Sequence, residues 1–547
     1  LEFVPQDQAT VNGWYRNRTE IRQSTAALYG RVWWSVNDQF SWLTGDVMSG
    51  DMHHTWDVEG QFFYMSFNET NQYIGQGWQG FYDVISYANL IIDDMPGIAK
   101  SNGVDEATIN AGLGEAHFMR GLAYFMLTEF WGETPIVESP AEKISSGNVL
   151  LPKNTTGSLY EFARRDLVFA AENLPGSDDA GRVTSWAAKG MLAKLHVTLG
   201  QRSVGGGDIG SAADFATASA YAADVINNSG RILASNYENL FKIANEHDPE
   251  ILFAPQLING GWGFGSSRQA RFARSTLITG DATAWGSGKC PTLSFIDNLE
   301  TNAEGEDDLR RRAIYSQLGD YYSYVATDSG GYTYNIVFRD AEDVSLEGAT
   351  PTLTSIKKHV VGNDKDHGYV ITNQDSPFDI YYLRLADVYL LYAEAQLGAN
   401  ASLSSGPGYD AYLAVRERAG LEPPADGSIT FVDIFNERRV EFGFEAQSWL
   451  DVKRRFYRNK TEAIAYLNNQ NRADQYFKID SDTRALENDP AGYEIVPAGT
   501  TSDNGNTNSN TQIEIFEYHM QLPLPASEVV ANPLLSKDEE AVEYVFD

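Results

Sequence analysis

Apolar residues in the first half of the chain recur at three-and-four spacing, the mark of helices that bury one face. Ile85, Ala88, Leu90, Ile91 and Ile92 form a compact stripe, and Pro96-Gly97 predicts its end. A wider stripe runs from Ala107 to Trp131 through Ile109, Leu113, Phe118, Met119, Leu122 and Phe125, with Gly132 and Pro135 as stops. Leu159 to Leu174 carries Phe162, Leu167 and Ala171. A fourth helix is predicted from Thr184, a plausible N-cap, through Ala187, Met191, Leu195 and Leu199 to just before Gly200. Ala212 to Asn228 is Ala-rich and closes on Ser229-Gly230. Small residues at the crossings with aromatics between them match the style of tetratricopeptide helix pairs, although no strict repeat can be written.

From about Asn236 to Asp379 this periodicity stops. Gly260-Gly261-Trp262-Gly263-Phe264-Gly265, Trp285-Gly286-Ser287-Gly288 and Tyr321 to Tyr334 mix glycine, aromatics and short β-branched runs. That texture predicts a loop-and-short-strand lobe, and loops on a rigid scaffold are where binding usually sits. Helical spacing returns at Leu383–Leu397, Tyr409–Ala419 and Phe431–Phe444, and Gly499 to Thr507 reads as a polar loop. The expected fold is mainly α, with tetratricopeptide-like helix pairs packed under an irregular lobe. Residues 1–235 form its helical region and 236–547 its loop-rich, ligand-binding region, together one compact unit.

Charge narrows the partners. Against 41 basic side chains stand 75 acidic ones in 547 residues, a net charge of −34 that repels phosphate backbones, so nucleic acid is not an expected partner. One cysteine, Cys290, excludes an intramolecular disulfide or a multi-cysteine metal centre. Apolar runs such as Val388 to Ala393 fall far short of the roughly 20 residues of a membrane-spanning helix. The chain opens at Leu1-Glu2-Phe3 without a basic-then-apolar leader, so an N-terminal piece is expected to have been processed away or to lie upstream.

Catalytic motifs find no match. There is no G-x-S-x-G elbow, no phosphate-cradling Walker loop and no dinucleotide fingerprint, and no cofactor is expected. With 75 acidic residues, no single carboxylate pair is informative. Cys290 has no partner histidine legible in the sequence and reads as a quiet small residue. Asp51-Met52-His53-His54-Thr55-Trp56-Asp57 lacks the spacing of a zinc or EF-hand motif and reads as a polar loop near a binding face, not a metal site.

Five blocks are more specific. Arg120-Gly121-Leu122-Ala123-Tyr124-Phe125 leads to Trp131-Gly132-Glu133-Thr134-Pro135, and Tyr382-Leu383-Arg384-Leu385-Ala386-Asp387 opens an aromatic helix ending Tyr392-Ala393-Glu394-Ala395. Val415-Arg416-Glu417-Arg418-Ala419-Gly420-Leu421 follows, then Glu437-Arg438-Arg439-Val440-Glu441-Phe442 with Trp449-Leu450-Asp451-Val452-Lys453-Arg454, then Leu522-Pro523-Leu524-Pro525 with Glu528 and Asn532-Pro533. In this order the set resembles the SusD/RagB family of outer-membrane nutrient-binding lipoproteins. Physically, Glu437, Arg438, Arg439 and Glu441 suit ion pairs within their helix and to neighbouring helices, so the blocks speak to architecture before they speak to a site.

The resemblance implies a non-catalytic protein on the external face of the outer membrane. It would be held there by a lipidated N-terminal cysteine, which is absent here and expected a few residues upstream. It further implies capture of oligosaccharide, in some members peptide, and a lid over a SusC-type TonB-dependent transporter. A sugar site needs flat aromatic faces for ring C–H surfaces and planar polar groups for hydroxyls. Trp56, Trp78, Trp262, Trp285 and Tyr322 are the candidate stacking surfaces; Asp51, Asp57 and Arg271 are the candidate hydrogen-bonding groups beside them. Trp131, Trp186 and Trp449 read as core. Peptide capture is the nearest rival reading; a glycoside hydrolase and a helical scaffold for protein partners are the farther ones.

Overall fold

The computed structural model describes residues 13–546 apart from 140–144, 146, 148, 262, 281–282, 287, 318, 335–353, 369–373, 475, 479–493, 497–499, 502–506 and 509–512. Most of the polar loop Gly499 to Thr507 therefore lies outside the described residues. Among the described residues, eleven helices of eight residues or more carry the fold: α1 (Arg18–Ala26), α2 (Gln72–Ser101), α3 (Glu106–Trp131), α4 (Thr156–Asn173), α5 (Ser185–Val204), α6 (Ala213–Asn228), α7 (Leu385–Leu397), α8 (Pro407–Arg418), α9 (Phe431–Glu441), α10 (Ser448–Arg458) and α11 (Lys460–Asn468). Caps sit where short polar residues precede apolar stripes. The side chains of Asn71, Asp105 and Thr155 accept the amides of Tyr73, Thr108 and Ser158 at the starts of α2, α3 and α4.

From α2 to α6 each helix packs on the next, α6 then packs on α7, and α7 on α8, which is the expected tetratricopeptide-like stacking. The described strands are two or three residues long and pair only in twos, so no sheet forms a layer. The result is a mainly α fold with an irregular lobe, as the pattern of apolar positions predicts.

Several boundaries differ from the prediction, each for a packing reason. Helix α2 runs straight through Pro96 to Ser101, because Met95 and Ala99 are buried there and the turn holds despite the missing amide. Helix α5 continues past Gly200 to Val204. Gly200 is a crossing point, where a Cβ would stand 2.7 Å from the Phe215 ring on α6. Helix α9 stops at Glu441, before the left-handed residues Phe444 and Ala446. Helices α10 and α11 and two π-helical turns, Val36–Phe40 and Leu43–Val47, carry no signal read from the sequence. Trp131 and Trp449 are core as expected, whereas Trp186 is half-buried under the Lys189 ammonium, 4.5 Å from its ring.

A buried ionic network joins the C-terminal helices to the lobe. Arg384 pairs with Glu250 at 2.6 Å, Glu441 at 2.9 Å and Glu445 at 2.8 Å. Arg310 reaches Asp308, Glu437 and Glu441, and Arg418 reaches Glu250 and Glu441. Arg438 holds Asp387 and Asp451, and Arg439 holds Asp51. Burial alone would raise the Glu441 carboxyl, but the guanidinium groups of Arg418, Arg384 and Arg310 hold it well below the usual range. The charged residues of the Glu437–Phe442 block thus bind neighbouring elements and touch no solvent-facing site.

Candidate ligand-binding site

Two exposed indoles stand on neighbouring loops of this framework. Trp56 follows the strand Met52–His53 and is 57% exposed. Its turn is fixed by Asp57 in the left-handed region (φ 51°) and by the Gly60 amide, which donates to the Trp56 carbonyl at 2.8 Å. Trp285 is 45% exposed on a loop tied to the short helix Arg268–Phe272: its amide donates to Ala270 O at 2.7 Å, and the Gly286 amide to Ala273 O at 2.9 Å. A Cβ on Gly286 would sit 2.1 Å from Phe272 O, so only glycine lets this loop lie flat with Trp285 pointing out. The Trp56 indole nitrogen lies 3.9 Å from where a Cβ on Gly288 would stand, three residues beyond Trp285. Antiparallel pairing of Met52–His53 with Cys290–Pro291 brings the two loops together.

Beside them runs a polar floor. Arg271 lies 3.5 Å from Glu59 and 3.6 Å from Asp38, and its Nε donates to Ser267 Oγ at 3.0 Å. Glu59 also takes hydrogen bonds from Tyr73 Oη at 3.2 Å and from Gln39 Nε2, and His54 Nε2 meets it at 2.5 Å. Burial pushes His54 down to about 4, so its imidazole is neutral near pH 7 and donates to the carboxylate. Burial works to raise Glu59, but the His54 hydrogen bond with Lys289 and Arg271 nearby holds it at about 2. Burial also brings Lys289 down to about 8, with Glu59 opposing the shift. Charges are paired within the floor, which leaves it directional and polar without a strong net field. That suits hydroxyl groups better than a phosphate or a free carboxylate.

The other candidates are placed elsewhere. Trp78 is 4% exposed, on helix α2, packed on Tyr82 at 4.9 Å and Trp131 at 5.6 Å. Gly77 and Gly80 beside it are helical glycines pressed on Phe40 and Val36, so α2 carries Trp78 inward, away from Trp56 and Trp285. Tyr322 is fully buried. Alternation along Tyr321–Tyr322 turns Tyr321 outward and Tyr322 in, its hydroxyl donating to Arg312 O at 3.0 Å. Asp51 is buried against Arg439 at 2.6 Å and has no face for a ligand. Trp262 lies outside the described residues; its neighbours Gly260 and Gly261 donate their amides to the Asp375 carboxylate. Of the eight candidates, Trp56, Trp285, Asp57 and Arg271 share one neighbourhood. Glu59, Lys289 and Asp38 are not among the candidates; nearness in sequence to Trp56 and Trp285 could have marked the first two, and nothing in the sequence marks Asp38.

A separate open groove of ≈ 900 Å³ runs along α2, with Trp78 and Tyr82 in its wall, Gln76, Gln79 and Asp83 along one side, and Glu528 on the other. Among the described residues no helix is long and apolar enough to cross a membrane.

Comparison with known proteins agrees with this architecture. The model of the SusD family matches residues 259–540, and that described as "Starch-binding associating with outer membrane" matches residues 18–197. A SusD-like protein of Bacteroides ovatus is 34% identical over 552 residues, covering 100% of this chain and 95% of its own. A crystal structure with xylogluco-oligosaccharide is 33% identical, with a TM-score of 0.79 and coverage of 96% of this chain and 99% of that one. A SusD-like protein from Bacteroides fragilis shares the fold at 18% identity, with a TM-score of 0.72 and coverage of 97% and 99%.

Proposed function

The chain belongs to the SusD family, and on that premise we propose that it is a non-catalytic glycan-capture protein that uses Trp56 and Trp285 as its stacking surfaces. The observation that carries the reading is this pair of exposed indoles beside a charge-paired polar floor of Arg271, Glu59 and Asp38. An indole face covers the C–H side of a sugar ring with little side-chain entropy to lose, and fixed polar groups then select hydroxyl positions. Asp57 and Arg271 are the hydrogen-bonding groups assigned to it, and Trp262 stays a stacking candidate on its sequence alone. Xylogluco-oligosaccharide is the first ligand to try, since a protein 33% identical was solved with it.

In the cell the protein would sit on the external face of the outer membrane, anchored by lipid at its N-terminus. From there it would pass its glycan to a SusC-type TonB-dependent transporter. Family membership supports this placement, and capture for hand-over calls for moderate affinity, because a ligand held too tightly is not released.

The test is calorimetric titration of the purified chain against xylogluco-oligosaccharides, laminarin and starch fragments, and mixed peptides, with product analysis. Binding of one glycan class without product is expected. Peptide binding alone would replace the sugar reading with peptide capture, and hydrolysis of a glycan would overturn the non-catalytic reading.

A further inference from the structure

Beneath the platform three segments far apart in sequence converge on one point. His53 stands opposite Cys290 in the antiparallel pair, and Asp474 follows α11 on a stretch clamped to the Cys290 strand. That clamp consists of the Leu293 amide donating to Ala473 O at 2.8 Å and the Ser294 amide donating to Asn471 O at 2.9 Å. One ligand atom from each of His53, Cys290 and Asp474 lies within 4.8 Å of the other two. Cys290 and Asp474 are buried, and the His53 side chain is 14% exposed. The Nδ1 atom of His53 is buried and makes no hydrogen bond among the described residues; it points at Asp474 Oδ2 from 3.6 Å. The Phe63 ring packs edge-on against the imidazole at 5.0 Å and fixes its plane.

From this convergence we propose that His53 Nδ1, Cys290 Sγ and an Asp474 carboxylate oxygen form a binding site for one divalent transition-metal ion, with Zn²⁺ as the favoured occupant. Bond lengths of about 2.0–2.3 Å in a tetrahedral zinc site set neighbouring ligands about 3.3–3.8 Å apart. The imidazole and carboxylate already stand at that spacing, and the sulfur closes by about 1 Å through side-chain rotation. One nitrogen, one thiolate and one carboxylate are the mixed donor set zinc accepts, whereas calcium and magnesium take oxygen ligands. Three protein ligands leave a fourth position for water, reached along the partly open edge of His53.

Without an ion, burial holds the Cys290 thiol well above its ordinary range, and Asp474 adds to the shift. Coordination exchanges the S–H bond for a sulfur–metal bond and releases the proton to solvent, so affinity rises with pH. The ion would join the strand leading to Trp56, the strand following Trp285 and the segment after α11. The site does not depend on what ligand the indoles hold.

The experiment uses the whole chain, stripped with chelator and titrated with Co²⁺ and then Zn²⁺ in the absence of glycan. One equivalent of cobalt should raise a thiolate-to-metal charge-transfer band that zinc abolishes, and zinc should raise the melting temperature. Cys290→Ser should lose the band, and Cys290→Ser and Asp474→Asn should each lower zinc affinity by more than about tenfold, while melting close to the parent when metal-free. Absence of the band in the parent chain would overturn the proposal even if a variant misfolds. Zinc affinity unchanged in a folded Cys290→Ser chain would overturn it too.

Discussion

Trp78 and Trp285 each adjoin a glycine, and the two glycines act in opposite directions. Gly77 lets α2 sink against Phe40 and takes Trp78 inward with it; Gly286 lets a loop lie flat on Phe272 and leaves Trp285 outside. Replacement by alanine should therefore separate the two tryptophans. Trp56→Ala and Trp285→Ala should each weaken glycan binding by about tenfold, equivalent to about 1.4 kcal/mol, with melting unchanged. Trp78→Ala should leave affinity intact in the folded fraction and cost about 3–5 kcal/mol of stability by emptying a packed aromatic cluster. Titration calorimetry beside thermal melting distinguishes these outcomes, and loss of affinity in Trp78→Ala alone would move the site to the groove along α2.

At the scale of elements, α2 shows how a glycine's meaning depends on what faces it. A Cβ on Gly77 would meet the Phe40 ring at 2.3 Å, whereas one on Gly97 would meet nothing within 4 Å. Gly77→Ala should destabilise by about 1–3 kcal/mol through overpacking. Gly97→Ala in the same helix should stabilise by about 0.5–1 kcal/mol, because it removes backbone freedom from the unfolded chain. Denaturant melts of the pair check both signs. Helix α9 depends on charge in the same context-bound way. Removing Arg384 leaves Glu250, Glu441 and Glu445 short of one shared cation in the core, with Arg418, Arg310 and Lys358 still beside them, so Arg384→Ala should cost about 3 kcal/mol. That change should leave Trp56 and Trp285 unaffected in whatever chain still folds.

For the molecule as a whole, what the sequence makes legible is what repeats within a few residues. Helices α3, α4 and α6 follow from their apolar stripes, and the ordered blocks carry the family. Residues brought together from afar are not legible: His53 meets Cys290, and Arg271 meets Glu59, only after the lobe has folded onto the helices. Trp56 and Trp285 could be singled out as loop aromatics, but Tyr322 could not be told from Tyr321 without the strand register. Acid–base behaviour is a property of this long-range packing as well. Burial raises the Glu246 carboxyl to about 7, so the folded state binds more protons than the unfolded state between the ordinary carboxylate range and pH 7. The group is neutral in both states at low pH, and stability is lost as pH rises through the folded value. Glu246→Gln keeps an acceptor for the Asp379 amide, which now donates to Glu246 at 2.8 Å. It should match the parent at pH 4 and exceed it at pH 8.5 by about 1–3 kcal/mol, read from melts at both pH values.

Stretches of residues 522–544 lie on the first half of the chain. Leu522 donates its amide to Phe130 O at 2.8 Å and Ala526 to Glu69 O at 2.9 Å; Val542 pairs in parallel with Asn154, and the Tyr544 ring packs on Phe162. During synthesis, the faces of α2 to α4 that these residues cover therefore stay open until residues 522–544 have been made. A chain truncated before Leu522 should therefore leave this face of α2 to α4 uncovered and be cut there by protease faster than the whole chain.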